Sequence, residues 1–161
     1  MPKEIERKFL PASDAWRSLA ARRREMRQGY IAAGAGISVR VRIAGAQARL
    51  NIKHGGLTAV RDEYEYPIPL ADARALLDGA GGPIIEKTRH YVPHAGREWE
   101  VDEFRGENAG LVVAEIELGD EHEQFPAPPW IGKEVTHLQR YYNVSLVQHP
   151  YSKWSDAERN P

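Results

Sequence analysis

Glu4-Ile5-Glu6-Arg7-Lys8-Phe9 alternates charged and apolar side chains along an extended chain. Successive side chains of a strand point to opposite faces, so Glu4, Glu6 and Lys8 share one face and Ile5 and Phe9 the other. A run of this kind reads as a half-buried β-strand. Its polar face is unusual in one respect: two like charges stand next to each other, with a cation immediately behind them.

Moving outward, the same period-two pattern recurs at residues 37–44, 48–54, 60–67, 86–93, 97–104, 111–118 and 132–135. Three segments carry helical spacing instead. Ser13 or Asp14 caps a helix running to about Arg27, with Trp16, Leu19 and Ala20 on one face and Arg22-Arg23-Arg24 on a solvated one. Residues 70–78 place Leu70, Ala73, Leu76 and Leu77 together ahead of glycines 79, 81 and 82. Thr136-His137-Leu138-Gln139 fits a capping box, followed by an apolar face of Leu138, Tyr141 or Tyr142, and Leu146, and ended by Pro150. Eight short strands and three helices make an α+β domain: an antiparallel barrel or a strongly curved sheet with helices packed outside. Trp16, Trp99, Trp130 and Trp154 are expected to pack the helices onto the outer face. The domain is expected to run over residues 1–154, with 155–161 a polar, frayed tail.

Sorting each strand by face groups the charges in blocks. Glu4 and Glu6, Glu63 and Glu65, and Glu115 and Glu117 are acidic pairs; Arg40 and Arg42, and Lys87 and Arg89, are basic pairs. Lys53 and Lys133 add cations, while Arg61 joins the Glu63 and Glu65 face and Glu100 joins Asp102. One polar face per strand is ordinary for an antiparallel sheet with a wet side. Like charges side by side repel, however, and call for a counter-charge from elsewhere. If the sheet closes, these faces point inward, where an unpaired ion costs several kcal/mol, about 3–5 when its partner is missing. The interior must then hold water or balancing ligands. Carboxylate clusters suit a hard divalent cation such as Mg²⁺ or Mn²⁺. Arginine and lysine clusters suit phosphate oxygens. Together they point to a metal-bound polyphosphate.

Bulk properties set the frame. The 161 residues are 42% apolar and 28% charged, with a net charge of −1, which is ordinary for one globular domain. The charge balance argues against a nucleic-acid binder. No apolar run approaches the roughly 20 residues of a membrane-spanning helix. Met1-Pro2-Lys3-Glu4-Ile5-Glu6 contains no apolar signal core, and cysteine is absent, so the cytoplasm is the expected location. The six histidines show no metal-ligand spacing. Gly34-Ala35-Gly36 reads as a turn into a strand, with no helix after it to form a phosphate loop.

Glu4-x-Glu6-x-Lys8 resembles the E-x-E-x-K signature of the CYTH superfamily, named for class IV adenylate cyclases and thiamine triphosphatase. Gln28-Gly29-Tyr30, Arg40-Val41-Arg42, Lys53, Glu63 with Glu65, Lys87-Thr88-Arg89, Trp99-Glu100-Val101-Asp102, Ala114-Glu115-Ile116-Glu117-Leu118, Gly132-Lys133-Glu134-Val135-Thr136 and Pro150-Tyr151-Ser152-Lys153-Trp154 follow in the order and spacing of short bacterial members. The resemblance implies an eight-stranded antiparallel closed β-barrel, a triphosphate tunnel, with the site inside. It implies Mg²⁺ or Mn²⁺ held by Glu4, Glu6, Asp102, Glu115 and Glu117. It implies a triphosphate gripped by Lys8, Arg40, Arg42, Lys53, Lys87, Arg89 and Lys133. Lys8 and Lys87 are candidates to stabilise or protonate the leaving oxygen, and Glu115 and Glu117 serve catalysis. Glu63 and Glu65 stand behind the basic side chains, and Tyr30 either approaches the tunnel or packs at the barrel end.

The implied activity is metal-dependent hydrolysis of inorganic tripolyphosphate to pyrophosphate and phosphate. Nucleoside or thiamine triphosphate and cyclisation of ATP are the alternatives, although no segment reads as an adenine or ribose site. A non-catalytic polyphosphate-binding module would keep the cations and could lose the carboxylates, all of which are present. No nucleic-acid or membrane partner is expected. The resemblance also suggests a homodimer.

Overall fold

The computed structural model describes residues 3–161, so Met1 and Pro2 of the expected domain lie outside the described residues. In chain order the elements are β1 (Lys3–Pro11), α1 (Trp16–Leu19), β2 (Arg22–Gly34), β3 (Ile37–Ala44), β4 (Gln47–His54), β5 (Val60–Ile68), α2 (Leu70–Gly79), β6 (Ile85–His94), β7 (Arg97–Phe104), β8 (Val112–Glu117), β9 (Ile131–Glu134), α3 (Asn143–Gln148) and α4 (Asp156–Arg159). Hydrogen-bonded neighbours run β5-β4-β3-β2-β6-β7-β8-β1, and β1 pairs back onto β5. The ring is therefore an eight-stranded closed barrel, with every pairing antiparallel. β9 lies outside the ring, against the second half of β1.

Two expectations change together here. Residues 22–34 form the 13-residue strand β2, not the second half of a helix; only Trp16–Leu19 is helical. Ala20 through Glu25 has high intrinsic helix propensity, but partners on both sides, β3 and β6, override it. The Arg22-Arg23-Arg24 run consequently sits in a strand, opposite Tyr91, His90 and Arg89, with the Arg22 guanidinium 3.6 Å above the Tyr91 ring. Conversely, residues 132–135 do not supply the eighth barrel strand. Residues 132–134 belong to β9, which is fastened to β1 by a two-pronged ion pair from Arg7 to Glu134, both contacts 2.7 Å.

The core lies outside the barrel wall. Phe9, Trp16, Trp99, Val101, Ile116 and Trp130 belong to one buried cluster, on the strand faces opposite the charged ones. Val41, Ala48, Ala73 and Leu77 seat α2 on β3 and β4. A third cluster plugs one end: Ile85, Phe104 and Val113 pack with Tyr141, Leu146 and Trp154. The sealing helix α3 begins at Asn143, seven residues after the expected cap. Thr136 caps no helix; its hydroxyl accepts from the Lys8 amide at 2.9 Å and donates to Glu134 at 2.7 Å. Within the expected tail, Asp156–Arg159 is helical. Ser155 and Glu158 form a reciprocal capping box, and Arg140 donates to the Glu158 carbonyl at 3.1 Å. No described helix is long and apolar enough to cross a membrane.

β9 approaches β1 so closely that Gly132 admits no side chain. A Cβ there would lie 2.6 Å from the Leu10 carbonyl oxygen and 3.2 Å from the Ala12 nitrogen, both backbone atoms. Gly132→Ala is expected to cost about 1–3 kcal/mol through overpacking. A thermal melt should show this as a midpoint lowered by several degrees.

Candidate active site

Closing the ring turns the charged faces into the wall of a chamber of about 260 Å³. Seven carboxylates line it, from Glu4, Glu6, Glu63, Glu65, Glu100, Glu115 and Glu117. Seven cations face them, from Lys8, Arg40, Arg42, Lys53, Arg61, Lys87 and Arg89. Strand pairing sets their neighbours: Lys8 lies opposite Glu115, Glu6 opposite Glu117, Glu4 opposite Arg61, and Lys53 opposite Glu63. Burial grades along the strands. Lys8 and Lys87 are buried near the sealed end, while Glu65 and Glu117 are exposed at the mouth.

Deep in the chamber the charges are paired. Lys8 Nζ donates to Glu6 at 3.0 Å and to Glu115 at 2.8 Å, under the Tyr142 ring at 4.6 Å. Burial works against that ammonium, but Glu115 and Glu6 overcome it and hold Lys8 well above its usual range. Lys53 Nζ grips both Glu4 oxygens at 2.8 and 2.6 Å, and Arg61 reaches Glu4 and Glu6 at 3.4 and 3.3 Å. Burial still pulls Lys53 below its ordinary value.

Asp102 occupies a different position from the one expected. It is fully buried beneath the wall rather than in it, accepting from Lys87 Nζ at 2.6 Å and from two Arg89 nitrogens at 2.8 and 2.9 Å. Arg89 and Lys87 overcome its burial and keep it ionised far below the usual carboxylate range. Among the described residues, its side-chain hydrogen bonds all come from cations, Lys87 and Arg89. Arg89 also reaches Glu100 and stands 3.8 Å from Glu115. Lys87 shares its carboxylate with Arg89, and burial together with Arg89 and Arg42 pulls it down to about 7.

Two cations and one acid are left without ionic partners among the described residues. Arg40 has no ion pair, and its Nε is buried without an acceptor. Arg42 donates only to the neutral Gln28 side chain, at 2.8 Å; burial, Arg40 and Arg89 bring it down to about 9. At the mouth Glu117 has no cation, and burial plus crowding by Glu4, Glu6 and Glu63 raises it. Glu4 is raised by burial and by Glu6 as well. The chamber thus presents an uncompensated positive wall on β3 and crowded acids where β1, β5 and β8 meet.

Of the residues singled out from sequence, two do not line the chamber: Asp102, buried beneath the wall, and Lys133, exposed on β9 outside the ring. Tyr30 lines the wall, as do Glu63 and Glu65. Arg61 and Glu100 were legible as charged-face residues but carried no assigned role. Asn51, Gln28, Tyr142 and Asn143 were not assigned one either, since neutral side chains leave no mark in a charge pattern. Among the described residues no three carboxylate or imidazole groups stand ready-made around a metal position. Lys53, Arg61 and Lys8 hold the carboxylate oxygens instead. The donor set itself, with Glu4 and Glu117 raised by burial and by neighbouring acids, has the chemistry of a hard-cation site.

A family model described as the CYTH domain matches residues 2–151. An inorganic triphosphatase of Acetivibrio thermocellus is 46% identical over 157 residues, spanning 97% of this chain and 100% of that protein. An inorganic triphosphatase of Nitrosomonas europaea is 37% identical over 150 residues, spanning 89% of this chain and 96% of its own length. A crystal structure of an inorganic triphosphatase, 32% identical, superposes with a TM-score of 0.65 over 91% of this chain and 95% of its own. Charged barrel, matched domain and full-length relatives coincide, and the chain belongs to the CYTH domain family.

Proposed function

We propose that this chain hydrolyses inorganic triphosphate to pyrophosphate and phosphate inside the barrel. The observation that carries the proposal is the pair of uncompensated guanidinium groups, Arg40 and Arg42, facing a chamber whose other cations are already paired. Buried positive charge without a counter-ion is costly and is relieved by an anion bound between the walls. Guanidinium groups match phosphate oxygens in shape as well as charge. The names of two relatives aligned along most of this chain support triphosphate as that anion.

In this reading Arg40, Arg42 and Arg89 bind the non-bridging oxygens and hold the chain along the tunnel. Glu4, Glu6 and Glu117, with Glu115 behind them, are the residues that would hold Mg²⁺ or Mn²⁺. Such a cation, when bound, supplies neutralisation of phosphoryl charge and acidifies water. Water adds to the terminal phosphorus as the bond to the pyrophosphate oxygen breaks, a step that needs mainly positioning and charge stabilisation. That leaving oxygen takes a proton, and Lys87 is better suited to give it than Lys8. Two carboxylates lock the Lys8 proton in place, whereas Lys87 lies near neutrality at about 7.

A second reading has one observation in its favour. An apolar slot of about 190 Å³, lined by Ile37, Leu57 and Val144, opens beside Lys53 and Arg61. An organic group esterified to a triphosphate fits there. Phosphate release from tripolyphosphate, ATP, thiamine triphosphate and pyrophosphate, each with and without Mg²⁺ or Mn²⁺, separates the two. Tripolyphosphate should be turned over fastest and only with metal; faster release from either organic triphosphate would overturn the inorganic assignment.

Two substitutions probe the opposed walls. Arg40→Ala should raise KM for tripolyphosphate roughly 10- to 100-fold, the worth of about 1.5–3 kcal/mol of charged hydrogen bonding. It should leave thermal stability equal or higher, because it removes an unpaired buried cation. Glu117→Gln should cut turnover and increase the Mg²⁺ concentration needed for half-maximal rate; near-normal turnover at saturating Mg²⁺ would contradict a metal role at that position.

A further inference from the structure

Most cations of the chamber rest on carboxylates, but behind Arg42 and Lys87 two amides form a relay. Arg42 Nε donates to Gln28 Oε1 at 2.8 Å. Gln28 Nε2 donates in turn to Asn143 Oδ1 at 2.9 Å, and the same oxygen accepts from Lys87 Nζ at 2.9 Å. An ammonium can only donate, so the Asn143 oxygen must face it. Gln28 is fully buried in β2, and Asn143 opens the helix that seals the barrel, so both amides are held by structure on opposite sides of the floor.

An amide oxygen satisfies a buried N–H donor without cancelling its charge; a carboxylate in the same place does both. Among the described residues, the one carboxylate in direct contact with Lys87 is Asp102, which Arg89 shares. The region of Arg40, Arg42 and Lys87 therefore keeps a net positive field aimed at the chamber, while each N–H that must be oriented is oriented.

We propose that Gln28 and Asn143 are positioning residues that aim Arg42 and Lys87 at the phosphate chain through neutral hydrogen bonds, adding no counter-charge to Arg42 and none to Lys87 beyond the Asp102 carboxylate that Arg89 shares. The inference rests on the triphosphatase reading of the chamber. Asn143→Asp tests it, since it is nearly isosteric and keeps both acceptor contacts while adding one negative charge. Gln28→Glu likewise adds a negative charge and keeps the acceptor for Arg42, but it gives up the N–H that Gln28 donates to Asn143, so Asn143→Asp is the cleaner arm.

The expected result is a KM for tripolyphosphate raised roughly tenfold or more in each variant, through loss of charge-assisted binding. Turnover should fall less, and the melting temperature should stay level or rise because two crowded cations gain a counter-charge. Affinity and stability then move in opposite directions. A merely structural role predicts that the nearly isosteric Asn143→Asp keeps the wild-type KM, or that affinity and stability fall together in both variants; either outcome overturns the proposal. Titration calorimetry of tripolyphosphate against wild type and both variants supplies the same comparison without turnover. Wild-type binding without hydrolysis would sink the triphosphatase reading alone, and unchanged affinity in both variants would sink this inference alone.

Discussion

Charge inside a closed ring has nowhere to go. An open antiparallel sheet can turn a polar face to bulk water, but once β1 pairs with both β5 and β8 that face becomes the wall of a chamber. Each ion there must then be met by a partner, by water or by a ligand. The described residues meet most of this demand among themselves, through Lys8 with Glu6 and Glu115, Lys53 with Glu4, and Asp102 with Lys87 and Arg89. What they leave unmet defines the site: guanidinium groups on β3 and crowded acids at the junction of β1, β5 and β8.

The seam that closes the barrel is also part of that site. Among the described residues, β1 meets β5 over Lys3, Glu4 and Ile5, opposite Asp62, Arg61 and Val60. The ion pairs of Glu4 with Lys53 and Arg61, and of Glu6 with Arg61, cross the same junction. Glu4 therefore helps to close the ring, and in the proposed reading it also holds a cation. A carboxylate whose proton affinity is raised by its acidic neighbours, yet which is clasped by a lysine whose own affinity is lowered, is poised between the two.

Sequence patterning revealed the parts of this design that use charge and alternation. The faces of β1, β3, β4, β5, β6, β7 and β8 read correctly because period-two alternation survives in each. β2 did not, because Arg22-Arg23-Arg24-Glu25 is as compatible with a helix as with a strand, and only pairing with β3 and β6 decides. The later alternation of Met26, Gln28 and Tyr30 was the available signal. Lys133 was misplaced for the opposite reason: β9 alternates well but pairs outside the ring, and local pattern carries no information on which sheet edge a strand joins. Asp102 was visible as an acid on an inward face, yet depth along the strand is set by barrel tilt, and it came out beneath the cations rather than beside the acids. Asn143 depends on the turn of a short helix at the sealed end, which no residue spacing announces.

Placing the apolar clusters outside the wall separates folding from chemistry. Trp16, Trp99 and Trp130 bury their surface on the far side of the strands from Glu6, Lys8 and Glu115. The plug of Ile85, Phe104 and Tyr141 closes one end and meets the charged zone at Lys87, whose ammonium stands 5.5 Å from the Phe104 ring. Hydrophobic burial, the dominant favourable contribution, is thus spent on the barrel's exterior and base. Had the same residues filled the interior, the ring would close around a dry core with no room for ions. The charged interior is left unbalanced, and that imbalance is what a bound triphosphate and its counter-cation would resolve.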